Sequence, residues 1–154
     1  MPLRMLPVDH QWEYVLLEDR DSAQPTVFTL RRLTWAQLQQ VEERNPLGFM
    51  ERAAVERARA AAQAEGREAS TEEIGQLIAE FADPDEVLRG YTRMHARAVE
   101  LGLVSVRGVL DVNGAPLDPI AGEQFLPAAP EDVLRELGEE ILRGSRLTEP
   151  FRKN

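Results

Sequence analysis

The stretch from Asp83 to Gly102 constrains the fold of this chain more than any other. Asp83 can cap free helical N–H groups, and Pro84 fits the first helical position, where no donor is needed. Val87, Leu88, Tyr91, Met94, Ala98 and Leu101 then recur at helical spacing, and Gly102 suits the C′ position. A helix with one such stripe has to bury it, so the rest of the chain must supply a surface for it.

Two β-forming segments flank that helix. From Gln11 to Arg31 the residues Trp12, Tyr14 and Leu16, then Thr26, Phe28 and Leu30, alternate with their neighbours, and polar turn material lies between Asp19 and Pro25. This predicts an N-terminal β-hairpin. A second hairpin is predicted near 104–117. Val104, Val106, Leu110 and Val112 share one face, Asn113-Gly114 forms the turn, and Pro116 and Pro119 keep the return strand short and at an edge.

The remaining segments read as helix. Thr34 caps a run from Trp35 to Arg44 with Trp35, Leu38 and Val41 in one stripe, and Asn45-Pro46-Leu47-Gly48 ends it. Met50 to Glu65 is rich in alanine with Val55 as its one branched apolar residue. Its helix propensity is high, but it buries little area, so a mobile surface helix is expected there. Ser70 and Glu73 have capping-box spacing ahead of Ile74, Leu77, Ile78 and Phe81. The last helix runs from Pro130 to Arg143, with Val133, Leu134, Leu137 and Ile141 inward and Gly144 as terminator, followed by a short tail over 145–154. The fold class is therefore α+β, mainly α-helical, in a single domain over 1–154. Gly75, Gly90 and Gly138 lie inside these helices and either permit close approach or mark loose packing.

Composition narrows the function. The chain has 154 residues, 43% hydrophobic and 29% charged, enough to bury a core without staples. With 6% aromatics that core must be aliphatic and alanine-rich, and with no cysteine there is neither a disulfide nor a thiolate metal site. A net charge of −9 without a basic stripe argues against a nucleic-acid phosphate partner. Pairs such as Glu51-Arg52, Glu56-Arg57 and Arg135-Glu136 interleave the charges, as on a solvated helix face rather than a nucleic-acid mimic. No signal peptide or membrane span is visible, so no membrane partner and a cytoplasmic location are expected.

Catalysis leaves spacing signatures that are missing here. His10 and His95 stand far apart, no serine sits in a nucleophile elbow, and the glycines occur singly rather than in a phosphate-binding loop. Asp83, Asp85 and Glu86 read as a helix N-terminus, and Glu139 and Glu140 point in different directions on their helix. No catalytic, metal or cofactor site is expected, and the chain reads as a binding protein.

Three phrases carry a resemblance. They are Pro25-Thr26-Val27-Phe28-Thr29-Leu30-Arg31-Arg32-Leu33-Thr34, then Leu101-Gly102-Leu103-Val104 with the later Asn113-Gly114 turn, and finally the closing helix with Leu147-Thr148-Glu149 and Lys153-Asn154. Their order resembles tail assembly chaperones of long-tailed bacteriophages, with Val106-Arg107 where that family usually has a Trp and Pro150 interrupting its acidic closing run. The resemblance implies a non-catalytic protein of the host cytoplasm that coats the tape measure protein and helps recruit tail tube subunits; a homo-oligomer is a separate expectation. It implies contacts through Val133, Leu134, Leu137, Ile141, Leu147 and Phe151. It also implies a longer product made by a backward one-base frameshift. Of the 18 basic residues, the sole Lys, Lys153, lies beside Asn154, and both have A-rich codons. The alternatives are a virion structural or head–tail joining protein and a phage regulator binding a host protein.

Overall fold

The computed structural model describes residues 9–146, apart from the side chains of Phe49 and Phe81. It is α+β and mainly helical. Strands β1 (Gln11–Tyr14), β2 (Val27–Arg31), β3 (Leu103–Arg107) and β4 (Ile120–Ala121) form one antiparallel sheet in that order. Helices α1 (Trp35–Glu42), α2 (Pro46–Ala64), α3 (Thr71–Phe81) and α4 (Pro84–Gly102) lie between β2 and β3 in sequence. The four-residue α5 (Gly122–Phe125) and then α6 (Glu131–Ser145) follow β4. Within the described residues two compact units can be told apart, one made of 9–41 with 95–146 and the other of 42–94.

The sheet-bearing unit takes its core from Phe28 and Leu30 of β2, Leu103 and Val106 of β3, Val99 of α4 and Leu137 and Ile141 of α6, all buried. Phe125 closes one side, edge-on to Phe28 at 5.4 Å between ring centroids. The predicted strand face is corrected at Val104. Thr29 pairs with Ser105 but Leu30 pairs with Leu103, which leaves Val104 as an extra residue and turns Leu103 and Val106 inward together. The return strand is likewise displaced. Pro116 makes a single bridge to Leu110, and the strand that pairs with β3 is Ile120–Ala121.

Strand β1 is held to α6 by side chains. Tyr14 Oη donates to Glu136 Oε1 at 2.8 Å, the Leu17 N–H donates to the same oxygen at 2.7 Å, and Trp12 Nε1 donates to Glu140 Oε1 at 3.2 Å. Burial, then the hydrogen bond to Glu136, pushes the Tyr14 hydroxyl above its ordinary pKa. Buried Ser145 accepts from the Leu33 N–H at 2.9 Å, satisfying a backbone donor just past the end of β2.

Two glycines expected to end helices do lie at the ends of α4 and α6, and both also allow close packing. A methyl group on Gly102 would lie 2.6 Å from Ile141 Cγ2, and one on Gly144 would lie 2.5 Å from Trp12 Cζ2. The three mid-helix glycines separate in the same way: Gly138 abuts His95, Gly90 abuts Pro46, and Gly75 faces open space.

His95 is buried where α4 meets α6. Burial lowers its pKa below 6.5, nearby Arg135 adds to that, and Glu139 opposes it. The unfolded chain therefore takes up a proton at a pH where the folded one does not. The stabilisation is complete above pH 6.5 and is lost as the pH falls from there through the folded-state pKa. The urea midpoint should drop between about pH 7.5 and 5.5, and His95→Gln should flatten that drop. An equal drop in the variant would assign the effect to another group.

In the unit over 42–94, Asn45 does not merely end α1. Its side chain accepts from the Leu47 N–H at 3.0 Å, and with Pro46 in the first turn it starts α2 four residues earlier than expected. The alanine-rich helix is also packed rather than bare. Ala54, Ala58 and Ala62 form a buried stripe, and α2 packs on α3. Alanine buries little area per residue, but its small size lets helices approach closely, which the small apolar area of the segment does not reveal. The Ser70–Glu73 capping box of α3 forms as predicted, and Arg67 extends it with an ion pair to Glu73 at 2.6 Å. No helix among the described residues is long and apolar enough to cross a membrane.

Candidate interaction surface

The six residues expected to meet a partner separate into three groups. Leu137 and Ile141 are fully buried, so their side chains are core and offer a partner no surface in this fold. Val133 and Leu134 are half-buried on the first turn of α6. Leu147 and Phe151, like the Lys153-Asn154 pair, lie outside the described residues. Amphipathic spacing reports which face of a helix is apolar, and here most of that face is spent on the sheet.

Exposed apolar surface instead gathers on the arm over 108–118, between β3 and β4. Leu110 is 58% exposed, Val112 100% and Leu117 45%. Backbone bonds hold the arm in shape: the Asp111 N–H donates to Ala115 O at 2.8 Å, and the Leu117 N–H donates to Val109 O at 2.8 Å. Two carboxylates clamp its ends. At the tip, Asp111 Oδ1 accepts from the Asn113 and Ala115 N–H groups at 2.8 and 2.9 Å. At the base, Asp118 Oδ1 accepts from the Gly108 N–H. Gly108 and Gly114 take φ of 81° and 78°, a region open to glycine at little cost. The turn at Asn113-Gly114 was legible, but the exposure of its flanking side chains was not, because a strand face was expected to continue through them.

Trp35 is a second exposed apolar group, 76% exposed at the start of α1, whereas the sequence places it in a buried stripe with Leu38 and Val41. Val41 alone of that stripe is fully buried. Large aromatic side chains exposed to this extent are typical of binding surfaces. Among the described residues no group of three His, Asp or Glu is placed to hold a metal ion. Asp83 and Asp85 act at the start of α4, where Asp83 Oδ1 accepts from the Asp85 N–H at 3.0 Å.

Comparison with known proteins finds no significant match to a family model, a curated protein or a solved structure.

Proposed function

We propose that this chain is a non-catalytic tail assembly chaperone, which in the host cytoplasm covers apolar helical surface of a tape measure protein and hands it to tail tube subunits. The observation that supports this most is the arm over 108–118, which presents Leu110, Val112 and Leu117 to solvent on a backbone clamped at both ends. A clamped arm loses little conformational freedom on binding, and three apolar side chains suit weak, displaceable contact with the apolar stripe of a client helix. The surrounding charge of −9 would keep a loaded complex soluble.

Co-expression with the tape measure protein should raise the soluble yield of that protein and co-purify the two. Leu110→Ser, Val112→Ser and Leu117→Ser together should weaken the association about ten-fold or more while leaving the melting temperature near its starting value. No gain in solubility and no co-purification would overturn the chaperone function. Recovery of the chain from purified virions would make it a structural part instead.

A further inference from the structure

The unit over 42–94 contains a cleft of about 780 Å3, lined by none of the residues of the arm. Arg89 and Arg93 stand one turn apart on α4, and Arg44 faces them from the segment ahead of α2. Pro46, whose ring rests on the bare Gly90, and Met50 supply apolar lining, while Glu43 and Glu86 contribute two carboxylates.

Like charges one turn apart on a helix repel, and although Asp85 and Glu86 stand one turn before Arg89, no carboxylate of α4 stands one turn before Arg93. Elsewhere Arg67, Arg97, Arg107, Arg135 and Arg143 each pair with a glutamate. Among the described residues no ion pair engages Arg44, Arg89 or Arg93, and Arg89 Nε donates only to Asp85 O of its own helix, at 3.2 Å. Three exposed guanidinium groups thus converge on one cleft of a protein whose net charge is −9.

We propose that this cleft binds an acidic segment of a partner protein, with carboxylates held by Arg44, Arg89 and Arg93 and a neighbouring apolar side chain set against Pro46 and Met50. Guanidinium groups match carboxylates with paired, parallel hydrogen bonds. Glu43, Glu86 and the overall negative field repel a densely charged polyanion, whereas a peptide carries its carboxylates singly and can place apolar groups between them.

The probe is a short fluorescent peptide of alternating glutamate and leucine, titrated with the full chain and followed by anisotropy. The comparison is the same peptide with lysine in place of glutamate. The acidic peptide should bind saturably, and Arg89→Gln with Arg93→Gln, which keeps helix propensity and donors, should raise its Kd about ten-fold or more. An unchanged circular-dichroism melt shows that the variant is folded. The assignment is overturned by an absence of saturable binding, by equal binding of the lysine peptide, or by a Kd unchanged in the variant. Displacement by inorganic phosphate, but not by chloride at matched ionic strength, would also overturn it in favour of a small-oxyanion site. None of these results alters the tape measure experiment, which reads a different surface.

Discussion

Replacing Leu137 with alanine is expected to lower the unfolding free energy by about 2–5 kcal/mol, as is usual when a fully buried leucine is cut back in a well-packed core. Leu137 has no exposed surface, and its neighbours in that core, Phe28, Leu30 and Ile141, are equally enclosed. The gap left by the missing carbons cannot close easily, because α6 is fixed on either side. Glu136 and Glu140 bind β1, and Gly138 abuts α4. Urea unfolding followed by fluorescence of Trp12, which packs on Gly144 of the same helix, should show a lower midpoint with an unchanged slope. The result also separates two roles for this residue. A core leucine costs stability, and a variant that stays folded still binds the client. A contact leucine costs binding at full stability. A loss below about 1 kcal/mol would remove Leu137 from the core.

What could be read in the sequence was local chemistry. The capping box at Ser70 and Glu73, the Asp83-Pro84 start of α4 and the Asn113-Gly114 turn each depend on residues a few positions apart, and each forms. What could not be read depends on residues brought together from distant parts of the chain. Nothing near Trp12 or Tyr14 announces that their polar atoms will meet Glu140 and Glu136. The extra residue at Val104 is invisible to strict alternation, and it decides which β3 side chains face the core. The alanine stripe on α2 looked weak because each residue buries little, although its value lies in close approach.

The candidate surface followed the same division. Apolar spacing on the last helix pointed Leu137 and Ile141 inward while the resemblance made them contacts, and the inward reading is the one that holds, because both are core. Trp35 and the arm side chains are distinguished only by exposure, a property of the folded chain. An exposed apolar side chain and a buried one look alike in a sequence, which is why the arm became visible only with the fold.

Gly138→Ala is expected to destabilise the protein by about 1–3 kcal/mol, and Gly138→Val by more, although alanine is the better helix former by about 1 kcal/mol. The added methyl group would lie 2.6 Å from His95 Cβ, 2.8 Å from its Cα and 2.9 Å from its carbonyl oxygen. Two of those atoms are backbone of α4 and cannot swing aside, so the helices would have to separate. Gly102 is a second point of contact, where Ile141 lies against its bare Cα, and any separation would loosen that seam too. Gly75 supplies the control. It is exposed on α3 with nothing within 4 Å of an added methyl group, so Gly75→Ala should stabilise by up to about 1 kcal/mol. Opposite signs for one chemical change, measured as urea midpoints on the two variants, would follow from close helix approach at Gly138 alone. A stabilising Gly138→Ala would mean that α4 and α6 are farther apart there than the structure places them.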